Sequence, residues 1–316
     1  MQIDKIPTAA VGQADIEVYM ARLDNIHPLA SGNKYYKLKP NLHYAKKQGF
    51  KRLLSFGGAY SNHIHALALF AQSRGFQSIG IIRGEAEYAN NPTLQDAQQA
   101  GMLLQFVDRK TYRQRHDETC LKQLQQKYPD AYIIPEGGSN TLALSGCAEF
   151  MQEINNSLKA DVVTVACGTG ATLAGISSAL QHKQRAVGYA ILKDSTLQQR
   201  LKKFLQDAAN QHPGNNFNKP YQIKPAAYGG YAKINRDILK FILDWLDQTG
   251  ILLDPVYTGK MAYALMQEIK QGKIPKDTRI CMIHSGGLQG WRGMKQTVIK
   301  LCGEKSWDII SKNNQS

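Results

Sequence analysis

From residue 50 onward, short β-rich runs alternate with helix-length stretches, and that alternation restricts the fold more than any other feature. "KRLLSF" (51–56) leads through "GGAYSN" into "HIHALALFAQSRG". "SIGIIRG" (78–84), "LLQFVD" (103–108) and "AYIIPEGG" (131–138) follow, separated by "NPTLQDAQQAG" and a polar helix around 114–127. Strands spaced by helices imply βαβ units and a parallel sheet. The strands between 50 and 140 suffice for a small doubly wound domain. The pattern then restarts with a helix over "TLALSGCAEFMQEINNSL", a buried strand over "ADVVTVACGTG" and a helix over "ATLAGISSALQH". "AVGYAIL" (186–192), a lysine-rich helix, "YQIKPAAY" (221–228), a helix at 234–249 and "TRICMIHSGG" (278–287) complete a second sheet.

With 316 residues there is room for two compact domains. The expectation is an α/β chain of two domains, each a mostly parallel sheet flanked by helices, with the active site in the cleft between them. The small domain, 44–140, is inserted in a large one built from 1–43 and 141–316. No repeat or Pro/Gly/Ser-rich linker divides them, and the turns near 48–50 and 137–141 mark the crossings.

Several function classes fall away. The longest apolar runs, such as "ADVVTVA" (160–166), are strand-length, so no membrane span is expected. The N-terminus carries acids early and no apolar core of a signal peptide. Cys120, Cys147, Cys167, Cys281 and Cys302 are odd in number and show no C-x-x-C spacing. That argues against a disulfide scaffold or a metal site and for the cytoplasm. The net charge of +14 raises nucleic-acid binding, but the basic residues are spread through every segment apart from a mild cluster over Lys34–Arg52. A basic protein that handles small anions, without nucleic acid, fits better.

Three glycine-rich turns each follow a strand. "SFGGAYSNH" (55–63) ends a strand in Gly57-Gly58 and restarts as a helix near Ser61-Asn62, leaving backbone N–H groups that attract carboxylate or phosphate. Ser61 and Asn62 also read simply as N-caps. "CGTGATLAG" (167–175) makes an anion cradle. It lacks the Gly-Lys-Ser/Thr of a nucleoside-triphosphate loop, and its third glycine comes two positions late for a dinucleotide fingerprint. A phosphate monoester fits it, and a tight turn with no ligand is the alternative. "IHSGGLQG" (283–290) is the third. All three lie beyond the carboxyl ends of their strands, where ligands collect.

"ASGNKYYKLKP" (30–40) places three lysines around two tyrosines. Alone it reads as a basic surface turn. Beside the anion-binding turns it reads differently: Asn33 can cap a short helix beginning at Lys34, with Pro40 kinking or restarting it. A lysine at a helix N-terminus, near other cations and partly desolvated, has a lowered pKa, the condition for a Schiff-base lysine. Lys37 and Lys39 lack that placement and are expected to be solvated. A phosphate cradle, a carboxylate site and such a lysine together suggest pyridoxal phosphate as electron sink for an amino acid.

"SGNKYYKL", "GGAYSNH", "PEGGSN", "CGTGATLAG", "GILLDPVYTGK" and "IHSGG" occur in the order found in fold-type-II pyridoxal-phosphate enzymes, those of the tryptophan-synthase-β fold. More narrowly, the chain resembles the D-cysteine desulfhydrase / 1-aminocyclopropane-1-carboxylate (ACC) deaminase group from about residue 30 to about 290. The resemblance implies that Lys34 binds the cofactor covalently and moves the α-proton. It implies that Asn62 holds the cofactor's phenolic oxygen, and that Ser61, Asn62 and His63 grip the substrate carboxylate with Ser61 close to the reacting carbon. Gly168, Thr169, Gly170, Ala171 and Thr172 would bind the phosphate, Tyr228 and Tyr257 match two active-site tyrosines, and Thr258 faces the pyridine nitrogen. ACC deaminases carry glutamate at that last position, and a neutral threonine suits simple α,β-elimination better than ring opening.

The implied reaction turns D-cysteine into pyruvate, sulfide and ammonia in a cytoplasmic homodimer. Alternatives are ACC deamination, elimination from cysteate or D-serine, and a non-catalytic binding protein on the same fold. Departures from the family pattern cluster where substrate should sit: Tyr60 replaces a glutamine, "YGGYAK" (228–233) lacks the usual proline and asparagine, and only Arg22 and Asp24 remain of an N-terminal Arg-Glu-Asp motif.

Overall fold

The computed structural model describes residues 1–27, 32–211, 219–230 and 232–314. Ser31, at the head of the lysine motif, and Tyr231 of "YGGYAK" lie outside the described residues. The strands are β1 (Ile3–Lys5), β2 (Glu17–Arg22), β3 (Arg52–Gly58), β4 (Gln77–Arg83), β5 (Met102–Val107), β6 (Ala131–Ile133), β7 (Val162–Cys167), β8 (Arg185–Ala190), β9 (Tyr221–Pro225) and β10 (Arg279–His284). They form two sheets, ordered β1-β2-β10-β7-β8-β9 and β5-β4-β3-β6. Every pair is parallel except the β1–β2 edge. The architecture is therefore α/β with two mostly parallel sheets, as the alternation requires.

The four strands expected between 50 and 140 make the smaller sheet, and the strands expected after 160 enter the larger one. β7 is buried along its whole length because helices cover both faces, which is why it reads as an unbroken apolar run. Three local expectations change. β6 stops at Ile133, since Pro135 has no N–H to give a ladder and Gly137 and Gly138 take φ of +70° and +65°. The polar helix divides into Arg109–Arg113 and Glu118–Lys127, the first begun by Asp108, whose carboxylate accepts from the N–H groups of Lys110 and Thr111. β1 and β2 arise from the N-terminal lead-in, which the alternation does not cover.

The helix carrying the lysine motif runs from Asn33 to Lys47, straight through Pro40. The proline does not restart it, and the neighbouring helix Thr141–Ser157 packs over the carbonyl that loses its partner. Pro40 leaves the Tyr36 carbonyl without its helical N–H partner, and Gly146 lies over that oxygen. A Cβ on Gly146 would stand 1.9 Å from it. The helix is thus seated against Thr141–Ser157 by a contact only glycine permits.

Candidate active site

The three glycine turns and the start of helix Asn33–Lys47 converge on one cavity of about 280 Å³. Gly32 precedes the helix with φ +76°, and the Asn33 N–H donates to Ser285 O at 3.2 Å, so the lysine motif is stitched to the turn after β10. Asn33 is the first helical residue rather than the cap. Its side chain is spent elsewhere: Nδ2 donates to Thr172 Oγ1 (2.9 Å) and Oδ1 accepts from Lys34 Nζ (2.9 Å). The Lys34 amine is thereby aimed at the 168–172 turn. Burial lowers its pKa to about 8, against the opposing pull of the Cys147 thiol and the Asp254 carboxylate.

Lys37 corrects the expectation that it is solvated. It is 1% exposed and lines the same cavity, donating to Gly137 O (2.5 Å) and Ser139 Oγ (2.9 Å). Ser139 in turn shares a hydrogen bond of 2.6 Å with Thr169 Oγ1. Burial, then the charge of Lys34, lowers the Lys37 pKa to about 7. Its i,i+3 spacing from Lys34 was the signal available in sequence. Lys39, as expected, is exposed, paired with Glu149.

Ser61 is the N-cap of helix Asn62–Ser73, its Oγ accepting from Ile64 N. Its carbonyl accepts from His65 N, which leaves the N–H groups of Asn62 and His63 for an outside acceptor. The Asn62 side chain is fixed by a relay. Thr93 Oγ1 donates to Gln289 Oε1 (2.5 Å), and Gln289 Nε2 donates to Asn62 Oδ1, so Nδ2 of Asn62 is the group left to donate. Asp96, three residues after Thr93, bonds His65 (2.9 Å) and Arg292 (2.5 Å), a second tie between helix Pro92–Gln99 and the turn Leu288–Gly293. The His63 side chain projects from the first turn of helix Asn62–Ser73. It is buried on the cavity wall, with Nε2 2.7 Å from Ser55 Oγ. Ser55 gives its own proton to Ile134 O, so Nε2 carries the hydrogen and Nδ1 is a bare acceptor, with no partner among the described residues. Burial, then Lys34 and Lys37, pushes the His63 pKa well below its usual value.

The 168–172 turn leads from β7 into helix Ala171–Ser178. Gly170 stands at the cap position with φ +95° and no side-chain cap, so the first N–H groups of the helix point outward. Gly168, Thr169, Gly170 and Thr172 line the cavity, whereas the Ala171 side chain packs in the core, leaving its N–H to act. Tyr257 lies against Gly168, where a Cβ would be 3.3 Å from the ring. The Asp254 carboxylate accepts from the N–H groups of Val256, Tyr257 and Thr258 and fixes that turn. Thr258 is fully buried and its Oγ1 has no hydrogen-bond partner among the described residues.

Tyr228 is not brought to the Lys34 cavity. It lines a neighbouring one that shares Leu192. Its φ is +42°, and buried Lys260 holds the loop by donating to Ala227 O (3.0 Å) and Gly230 O (2.7 Å). Arg22 and Asp24 are paired bidentately, with Asp24 3.6 Å from His284 beneath the third glycine turn. They brace the turn and do not line the cavity.

An uncapped helix start flanked by two poised lysines and an oriented Asn62 amide fit a phosphorylated pyridine aldehyde, while the bare Thr258 hydroxyl, next in sequence to Tyr257, is buried outside the residues that line the cavity. A protein-family model described as pyridoxal-phosphate dependent enzyme matches residues 6–286. The bifunctional D-cysteine desulfhydrase/1-aminocyclopropane-1-carboxylate deaminase of Arabidopsis thaliana mitochondria is 31% identical, over 94% of this chain and 79% of its own. The D-cysteine desulfhydrase of Salmonella schwarzengrund is 27% identical, over 86% and 87%. The crystal structure of an ACC deaminase homologue matches with a TM-score of 0.85 at 27% identity, covering 95% of this chain and 93% of that one. The chain belongs to the family of pyridoxal-phosphate dependent enzymes, with the type II fold of that homologue.

Proposed function

We propose that this enzyme is a lyase that eliminates the β-substituent of a small amino acid, with D-cysteine as first candidate: cysteine and water yield pyruvate, hydrogen sulfide and ammonia. Thr258 carries the choice of reaction. Its neutral buried hydroxyl, the group proposed to face the pyridine nitrogen, supplies no proton-holding charge. Pyridoxal phosphate, when bound, provides the ring that withdraws electrons from the α-carbon. Lys34 would hold it, and the lowered pKa leaves Nζ able to take and return the α-proton near neutral pH.

The N–H groups from Ala171 onward, with Thr169, Thr172 and the Lys37 ammonium, would hold the phosphate. The N–H groups of Asn62 and His63 would hold the substrate carboxylate, with Ser61 and Tyr257 beside the reacting carbon. Tyr228 would act only if its loop turned inward. ACC deamination is the second reading, supported by the double name of the Arabidopsis relative. The two sheets support a large domain of 1–43 and 141–316 and a small one of 44–140, the crossing being made within helix Asn33–Lys47. The proposed setting is a cytoplasmic homodimer. Among the described residues, no helix is long and apolar enough to cross a membrane.

The test is the visible spectrum of the cofactor-loaded protein before and after D-cysteine, with sulfide and pyruvate assayed together. A shifted band with both products supports elimination. A band inert to D-cysteine but turned over by ACC, giving 2-oxobutanoate, assigns the second reading. A protein that D-cysteine and ACC both leave unchanged rules out both.

A further inference from the structure

The rim of the Lys34 cavity carries a cation that the proposed elimination does not use. Arg83 is the last residue of β4, opposite Gly58 at the end of β3. Its Nη2 lies 3.4 Å from where a Gly58 Cβ would stand, so the guanidinium lies beside Gly58, close to the turn that starts helix Asn62–Ser73. It lines the Lys34 cavity and also an outer cavity of about 400 Å³ that shares Gly58, Asn62 and Tyr257. Arg83 is exposed, rests 5.5 Å from the centre of the Tyr112 ring, and has no hydrogen bond or ion pair among the described residues.

The other cations of the inner cavity are engaged. Arg115 is bound to Glu136 (2.8 Å) and to the Tyr112 carbonyl, Lys37 to Gly137 and Ser139, and Lys34 to Asn33. The anions of the proposed chemistry are also assigned, the phosphate to the 168–172 turn and the α-carboxylate to the N–H groups of Asn62 and His63. Among the residues that line the outer cavity, Arg83 and Arg109 outnumber the single carboxylate Glu85, so the approach to the site is positive.

We propose that Arg83 receives a second anionic group on the substrate. An amino acid whose β-substituent is an oxyanion able to leave with the bonding electron pair, such as a sulfonate departing as sulfite, is then bound more tightly than one with a neutral β-hydroxyl. This rests on the lyase reading, since it places the α-carbon between Lys34 and Ser61 and points the β-substituent towards the rim. A guanidinium meets such an oxyanion with charge-assisted, bidentate hydrogen bonds that a neutral group cannot match.

The test compares cysteate, carrying a β-sulfonate, with serine, carrying a β-hydroxyl, in both enantiomers. Each titrates the visible band of the cofactor-loaded protein in the first moments after mixing, which reads binding apart from product release. The expected result is cysteate half-saturation at least about 10-fold below that of serine, with a preference that falls as salt is raised. Arg83→Gln should weaken cysteate by about 10- to 100-fold and collapse the ratio of the two affinities, and Arg83→Lys should restore part of it. Equal affinities in the unaltered protein, or an equal effect of Arg83→Gln on both ligands, overturns the assignment. If neither amino acid, nor D-cysteine, moves an otherwise normal band, the lyase reading falls and the inference with it.

Discussion

Replacing Gly32 by alanine tests how the lysine motif is seated. The new Cβ would stand 2.0 Å from Ser285 O, 2.6 Å from Ser285 C and 2.9 Å from Gly286 Cα, all of them backbone. The turn cannot yield cheaply: Ser285 O accepts from Asn33 N, and Gly286 N donates to the buried His284 ring at 3.3 Å. Gly32 also has φ +76° and ψ −162°, a region that side chains avoid at a cost of about 1–3 kcal/mol. Overpacking adds about 1–3 kcal/mol, for a total loss of about 2–6 kcal/mol. Gly49→Ala supplies the control, with a similar φ of +77° but open space around its Cβ, so only about 1–2 kcal/mol of backbone strain is expected. Urea unfolding of both variants, with the visible band followed in parallel, reads the difference. Gly32→Ala should lose the larger amount and bind cofactor weakly, because Asn33 and Lys34 are pushed off the Ser285 turn. Equal losses in the two variants would refute the steric argument.

Lys34→Ala should abolish the covalent cofactor band and lower turnover by at least about 1,000-fold, as expected of a residue serving as both covalent anchor and proton carrier; stopped-flow absorbance and product assay check both. Thr258→Glu should slow D-cysteine elimination, and unchanged kcat/KM would count against the neutral-pyridine reading. Lys37 has a folded pKa of about 7 against an ordinary 10.5, so between these values the unfolded chain binds the extra proton and stability of the cofactor-free protein rises with pH. The contribution is complete above pH 10.5 and is lost as pH falls through about 7. Lys37→Met should flatten the wild-type slope measured by urea unfolding from pH 7 to 9, and identical slopes would show that Lys37 does not titrate there.

The parallel sheets were legible because buried strands and their helices impose different periods on the sequence. Loop residues were legible where glycine freed backbone N–H groups, as at Gly168–Gly170. Lys37 was misjudged for a physical reason: its class favours solvent, and only the carbonyl of Gly137 and the hydroxyl of Ser139, 100 and 102 positions along the chain, make its burial tolerable. The tie of the His63 ring to Ser55 has no local pattern, since it joins a helix start to a buried strand residue. The Thr93–Gln289–Asn62 relay joins three distant segments and has no local pattern to find. Tyr228 sits apart because its loop conformation depends on Lys260, thirty-two positions away in sequence.

The double tie between helix Pro92–Gln99 and the turn Leu288–Gly293 also limits how the molecule can move. Thr93–Gln289 and Asp96–Arg292 are two rungs on one side of the cleft, three residues apart on each strand of the link. Two rungs resist twisting as well as separation, so this side of the cleft is pinned against both. An incoming molecule meets the guanidinium groups of Arg83 and Arg109 at the rim, while Asn62 is held from the pinned side through Gln289.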